Sequence, residues 1–155
     1  MQSTWILTAN AGQAHFFSFS DSESSLQEIN TLTNPNASSQ TVDTETDKLG
    51  QRSASKSQHS VGQATQPSGY EPNQSPAEHH AEMFARNVAA FLLRSHQQGL
   101  FKTLILTASP EFLGTLRSVM DPSLQATIVK EVDKDYTRFK GKELLELVNA
   151  RRNAA

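Results

Sequence analysis

The hydrophobic residues of this chain are unevenly spaced, and their spacing predicts eight elements of secondary structure. Three short strand-like segments come first. Thr4 to Ala9 is almost continuously apolar, Gln13 to Ser20 carries three phenylalanines, and Leu26 to Leu32 alternates weakly. Short polar breaks separate these segments, which is typical of antiparallel hairpins.

The strongest helical signal lies over residues 76–98. Ser75 is a candidate N-cap, Pro76 suits the first helical position, and Glu78 completes a capping box. Apolar residues then recur at three- and four-residue steps, and Gly99 is the expected stop at the carboxyl end. This pattern predicts one long amphipathic helix.

The most hydrophobic run of the chain, TLILT at residues 103–107, follows that helix after a short turn. A continuous apolar run predicts a strand that is covered on both faces, and we expect it to be the central strand of the sheet. Ser109 and Pro110 then begin a second helix. A last strand is predicted over residues 126–132 and a closing helix over residues 141–152.

The predicted order βββαβαβα indicates an α/β fold with a ribonuclease H-like mixed sheet, in which two parallel strands join an antiparallel meander. The alternative is another mixed α/β sandwich with the same elements in a different strand order. A chain of 155 residues is long enough for one core, so we expect a single domain over residues 1–155.

Residues 33–75 differ in kind from the rest of the chain. Of these 43 residues, 28 are Ser, Thr, Asn, Gln, Gly or Pro. Such a composition buries too little surface to offset an ordering entropy of about 1–2 kcal/mol per residue. The segment therefore predicts a long flexible loop between the third strand and the first helix.

Composition narrows the class of protein. Sixteen acidic and fourteen basic residues give a net charge of -2, so no overall basic field points to nucleic acid. The absence of cysteine excludes disulfides, thiolate nucleophiles and cysteine-based zinc sites. No apolar run approaches the roughly 18 residues that span a membrane, and the first residues lack the Lys or Arg of a secretory signal. We expect a cytoplasmic protein.

Clustered carboxylates, which a two-metal nuclease needs, are not predicted. The first strand contains no acidic residue and ends at Asn10, so Asp133 and Asp135 near the last strand lack a partner there. His79 and His80 point about 100° apart on a helix and cannot chelate one ion together. We therefore expect neither a metal site nor a cofactor.

Two weaker signals lie in the long loop. Gly62 and Gln63 could place a backbone amide and an amide side chain near a reacting carbonyl, which makes them candidate catalytic residues. Lys48, Arg52 and Lys56 form a sparse basic string that could bind phosphates. A solvated, Gln-rich loop explains both sets equally well.

Three blocks of the sequence resemble the bacterial family of proteins required for attachment to host cells. They are FARNVAAFL (Phe84–Leu92), FKTLILTASPEFLGTLR (Phe101–Arg117) and Asp133-Lys134-Asp135. The N-terminal TWILTANAGQAHFF resembles the opening strand pair of that family, so the resemblance covers nearly the whole chain. It implies a non-enzymatic binding or adaptor module that acts in bacterial attachment through a protein partner.

That family is in turn similar to the middle domain of eukaryotic-type class 1 peptide-chain release factors. This domain has the same element order and carries a Gly-Gly-Gln motif for peptidyl-tRNA hydrolysis in its long loop. Gly62 and Gln63 fall in the corresponding loop, but Val61 replaces the first glycine, and a β-branched side chain resists positive φ. The alternative hypothesis is therefore a ribosome- or tRNA-associated relative with residual hydrolysis.

Overall fold

The computed structural model describes residues 3–19, 26–37 and 74–154, with backbone alone for residues 151–154. Most of the predicted loop lies outside these residues. The elements, in chain order, are β1 (Thr4–Ala9), β2 (Gln13–Phe19), β3 (Gln27–Thr33), α1 (Pro76–Gln97), β4 (Thr103–Ala108), α2 (Pro110–Val119), α3 (Pro122–Gln125), β5 (Ile128–Val132) and α4 (Gly141–Ala154).

The five strands form one mixed sheet in the order β3-β2-β1-β4-β5. β1 and β2 pair antiparallel, as do β2 and β3, whereas β1, β4 and β5 run parallel to one another. The predicted hairpins and the predicted parallel strands are both confirmed.

The prediction that TLILT is the central strand is wrong. That run lies in β4, an interior strand, and the middle of the sheet is β1, which pairs with both β2 and β4. The reason is physical: a continuous apolar run reports that a strand is covered on both faces. It carries no information on how many strands lie beyond each neighbour.

Helices cover both faces of the sheet. Side chains such as Leu7 and Leu104 point into the larger buried cluster, where they meet α1 and α2 residues such as Val88 and Leu116. Ile6 faces the opposite way, into a smaller cluster with α4. The alternation along β1 follows the two-residue period of a strand.

The ends of α1 are fixed as its sequence predicts. The Ser75 Oγ accepts from the Glu78 amide at 3.1 Å, and the Glu78 Oε1 accepts from the Ser75 amide at 2.8 Å, which completes the capping box. After the last turn, Gly99 takes a φ of 77° and donates its N–H to the His96 carbonyl at 2.9 Å. Glycine suits this left-handed position because it has no Cβ.

The short helix α3 is absent from the prediction, which placed a strand from residue 126 onward. Asp121 caps α3 by accepting from the Ser123 amide at 2.8 Å, and β5 begins only at Ile128. Four residues are too few to show helical periodicity, so the signals of this turn are local ones, Asp121 at the N-cap and Pro122 at the first helical position.

The start of the predicted loop also differs from expectation. Thr33 belongs to β3, and residues 35–37 form one helical turn. Among the described residues, no helix is long and apolar enough to cross a membrane.

Candidate functional site

Four chain segments meet at the carboxyl edge of the sheet. Ala11 follows β1 and Ser109 follows β4, while α1 and α2 begin at Pro76 and Pro110 on the same side. The Ser109 amide donates to the Ala9 carbonyl at 3.2 Å, which holds the ends of β1 and β4 together. In open α/β sheets, ligands bind in the crevice outside the carboxyl ends of the parallel strands.

A groove of about 570 Å³ lies at this edge between α1 and α2, and we call it the α1–α2 groove. Both helices contribute polar side chains, and small or aromatic residues form the apolar part. The lining residues are Ala11, Gln74, Ala77, Glu78, Ala81, Glu82, Ser109, Glu111, Phe112, Thr115 and Ser118.

Within the described part of the chain, the charged residues of the lining are three glutamates, without a lysine or an arginine. Glu78 belongs to the capping box of α1. Glu82 accepts from the Arg86 guanidinium at 2.7 Å and from the Gln74 side-chain amide at 2.8 Å. The bond from Arg86, and next the bond from Gln74, hold the pKa of Glu82 below its ordinary value. The Glu82 carboxylate is therefore ionised at neutral pH.

Two of the three hydroxyl groups in the described lining are engaged within α2, whereas the Ser109 hydroxyl makes no capping bond to that helix. The Thr115 Oγ1 donates to the Glu111 carbonyl at 3.2 Å, and the Ser118 Oγ donates to the Thr115 carbonyl at 2.7 Å. A nucleophilic hydroxyl needs a general base within hydrogen-bond reach, and here the described bonds go to helix carbonyls.

A second polar cluster lies at the ends of β1 and β5, and we call it the Asn10 clasp. The Asn10 Oδ1 accepts from the amides of Gly12 and Gln13, at 2.7 and 2.9 Å. Its Nδ2 donates to the Asp135 Oδ2 at 2.9 Å and to the Thr137 Oγ1 at 3.3 Å. One side chain thus joins the β1–β2 turn to the loop before α4.

Asp135 completes the clasp as a hydrogen-bonded carboxylate. Its Oδ1 accepts from the Thr137 amide at 2.9 Å and from the Thr137 hydroxyl at 2.6 Å. Burial by itself raises the pKa of Asp135, but the hydrogen bonds from Thr137 and Asn10 outweigh it, so the pKa is lowered overall. The donors around this carboxylate stabilise its charge.

No group of three or more His, Asp or Glu side chains that could hold a metal ion is found among residues 3–19, 26–37 and 74–154. His79 and His80 lie in the first turn of α1, with ring centroids 6.1 Å apart.

Asn34 is a buried polar residue at this edge that the sequence analysis did not identify. Its Nδ2 donates to the Ala11 carbonyl at 3.0 Å and to the His80 carbonyl at 3.4 Å. The backbone N–H of Asn34 donates to the Gly12 carbonyl at 2.9 Å. Asn34 therefore ties the end of β3 to the β1–β2 turn and to α1. Its position in a polar, loop-like sequence gave no signal of this role.

The candidate residues of the long loop lie outside the described residues. These are the candidate catalytic pair Gly62 and Gln63 and the basic string Lys48, Arg52 and Lys56. The groove and the clasp contain some residues predicted at helix starts or strand ends, such as Glu78, Ser109 and Asn10, and others that the sequence did not single out, such as Thr115 and Ser118.

Comparison with known proteins gives one family match. A family model described as "Protein required for attachment to host cells" matches residues 5–148. No curated protein matches the chain.

Ten chains of solved structures match. One of them, titled "Archaeal protein", is 12% identical, with a TM-score of 0.46. The match covers 93% of this chain and 32% of that one, so the chain spans about a third of that structure. A likeness at this TM-score carries no weight for fold or function.

Proposed function

The chain belongs to the family of proteins required for attachment to host cells, and from this premise we propose that it is a non-enzymatic binding or adaptor module. Membership in this family suggests a role in host attachment. Our proposal adds that the α1–α2 groove is the surface that binds the partner protein.

The α1–α2 groove is the observation that carries this proposal. It lies where open α/β sheets bind ligands, between two helices that the larger buried cluster holds against the sheet. The Thr115 and Ser118 hydroxyls donate to carbonyls of α2. Glu78 and Glu82 accept bonds from neighbouring residues. A groove between two helices that pack on one shared core supports recognition of a partner segment.

We also propose that the five-stranded sheet is ribonuclease H-like and that residues 1–155 form a single domain. The strand order β3-β2-β1-β4-β5, with three parallel strands beside an antiparallel pair of hairpins, supports the first part. Contacts of α1, α2 and α4 with one shared sheet support the second.

The alternative function is a release factor-like protein that associates with the ribosome or tRNA. Gly62 and Gln63 in the segment between β3 and α1 favour it. Val61 and the net charge of -2 count against it, because a β-branched residue restricts the backbone and an acidic chain is repelled by RNA. A cytoplasmic location is part of both proposals and stays a prediction.

An attachment assay with groove-filling variants tests the proposal. Cells that lack this chain are complemented with the wild type, with Ala77→Gln or with Ala90→Gln. Ala77 lines the groove, whereas Ala90 is exposed on another side of α1, so the two variants make the same change on one helix. We expect Ala90→Gln to restore attachment to host cells and Ala77→Gln to leave it reduced, with equal melting temperatures.

Full restoration of attachment by Ala77→Gln would contradict the assignment of the groove. Hydrolysis of peptidyl-tRNA by the purified protein on ribosomes, if abolished by Gln63→Ala, would favour the release factor-like alternative. Absence of this turnover, together with the difference between the two alanine variants, supports the binding module.

A further inference from the structure

We propose that the α1–α2 groove binds an extended segment of a partner protein that carries lysine or arginine side chains. This inference rests on the proposed function and names the chemical class of its partner. Three features of the groove support it. The groove is negatively charged, the first turns of both helices already carry a glutamate, and a glycine of α2 lies at the edge of the groove.

The charge of the groove favours a cationic partner. Glu78 and Glu82 on α1 face Glu111 on α2 across the groove, and no lysine or arginine is found among the described residues of the lining. Arg86 offsets part of the charge of Glu82. Among the described residues, the Glu111 carboxylate has no ion-pair partner and is exposed. Complementary charges at a docking surface set the choice of partner and the rate of encounter.

The helix N-termini at this edge do not make the groove an anion site. Both α1 and α2 begin here, and the first turn of each already carries a glutamate, Glu78 and Glu111 respectively. These carboxylates complement the positive ends of the helix dipoles. An RNA backbone would meet the same three glutamates, so the observations favour a basic peptide over nucleic acid.

Gly114 leaves the edge of the groove open on the α2 side. It lies three residues after Glu111 and four before Ser118, so it shares their face of the helix. A Cβ added at Gly114 would meet no atom within 4 Å. Packing within the described part of the chain therefore does not require glycine in this helix, where it is unfavourable. A closely approaching partner backbone would require it.

Binding of defined peptides tests the inference. The probes are two fluorescein-labelled synthetic peptides, one of alternating lysine and alanine and one of alternating glutamate and alanine. Fluorescence anisotropy measures their affinity for the full chain at low and at physiological salt. We expect the lysine peptide to bind, more weakly as salt rises, and the glutamate peptide not to bind. Equal affinity for both peptides, or no binding of the lysine peptide, would overturn the proposal.

Two charge reversals locate the binding site. Glu111→Lys changes a groove residue, and Glu146→Lys makes the same change on α4, which packs on the opposite face of the sheet. We expect Glu111→Lys to weaken binding of the lysine peptide by about tenfold and Glu146→Lys by less than about twofold. Equal weakening by both variants would show attraction by net charge alone and would contradict a groove site.

A third variant tests the approach of the peptide backbone. Gly114→Gln introduces a good helix former into open space, so the melting temperature should stay equal or rise. We expect it nevertheless to weaken binding of the lysine peptide by about tenfold. Full affinity in this variant would contradict an approach along α2.

The outcomes separate this inference from the proposed function. If attachment still depends on Ala77 while the lysine peptide fails to bind, the groove serves attachment but its partner is not basic. Stronger binding of a labelled single-stranded RNA than of the lysine peptide would also overturn the inference. Loss of peptide binding in Glu111→Lys alone, with intact folding, supports it.

Discussion

Asn10 joins two loops that lie 125 residues apart in the sequence. The side-chain oxygen Oδ1 accepts two backbone N–H bonds in the β1–β2 turn. The side-chain nitrogen Nδ2 donates to the Asp135 carboxylate. An aspartate would keep the acceptor in the turn but would lose the donor toward Asp135. Asparagine therefore fits this position because it combines one acceptor and one donor.

We predict that Asn10→Asp lowers the free energy of unfolding at neutral pH by about 1–2 kcal/mol, since one hydrogen bond is replaced by two facing carboxylates in a partly solvated site. In the wild type, the lowered pKa of Asp135 means that its stabilisation is present above the unfolded-state pKa and is lost as pH falls through the folded-state pKa. In the variant, protonation of one carboxylate relieves repulsion, so acidification should cost less stability. Urea unfolding at several pH values measures both effects.

The exchanged pair provides the control for this prediction. The double variant Asn10→Asp with Asp135→Asn again places an amide donor opposite a carboxylate, and we expect it to recover more than half of the loss. A double variant that is as unstable as Asn10→Asp would show that the Asn10 clasp is not the cause.

Residues with local partners were predictable from the sequence, and residues with distant partners were not. Ser75 and Glu78 are three positions apart, so their capping box can be identified from sequence spacing alone. Asn34 instead bonds to Ala11 and His80, which come close only after the sheet has formed. The α1–α2 groove was missed for the same reason, because its two sides belong to helices separated by β4.

Both edge strands of the sheet carry an irregularity at an exposed apolar residue. The pairing of β2 with β3 passes from Phe16↔Asn30 to Phe17↔Glu28, which leaves Ile29 without an opposite residue. The pairing of β4 with β5 skips Val129 in the same way. Bulges twist an edge strand and disfavour pairing with another chain. The exposed apolar side chains of the edges thus lie where strand addition is least favourable.

We predict that Leu104→Ala and Leu106→Ala each destabilise the protein by about 2–5 kcal/mol, because both side chains are fully buried in the larger cluster beneath α1 and α2. Val129→Ala is the matched control, since Val129 lies in the adjacent strand but is 62% exposed. We expect the control to change stability by less than about 0.5 kcal/mol. Thermal or urea unfolding of the three variants checks the prediction, and leucine variants as stable as the control would contradict it.

At the element scale, hydrophobic periodicity predicted the strands and the long helix but not every neighbour relationship. The apolar runs of β1 and β4 are similar in length and burial. Their places in the sheet are decided by hairpin and crossover connections, which the local pattern does not specify. The four residues of α3 were missed because they complete only about one turn.

At the scale of the whole molecule, the two faces of the sheet differ in the size of the hydrophobic cluster that each one buries. The face under α1 and α2 contains the larger cluster, including the aromatic pair Trp5 and Phe101 with centroids 4.8 Å apart. The face under α4 contains a smaller cluster around Ile6 and Phe17. Because the groove lies between the two helices that cover the larger cluster, that cluster holds the two sides of the groove against one sheet face.

We expect no magnesium- or manganese-dependent cleavage of structured RNA, because such catalysis needs clustered carboxylates. Asn10 follows β1, and its side-chain nitrogen donates to the Asp135 carboxylate. A second metal ligand beside Asp135 would need an anionic oxygen at this position, and asparagine presents a hydrogen-bond donor instead. Gel assays of the purified wild type against the double variant Asp133→Ala with Asp135→Ala measure this directly. Equal background in both proteins is the expected result. Turnover that survives Gln63→Ala but disappears with Asp133→Ala would contradict the binding-module proposal, because it would make the carboxyl edge of the sheet a metal-dependent active site.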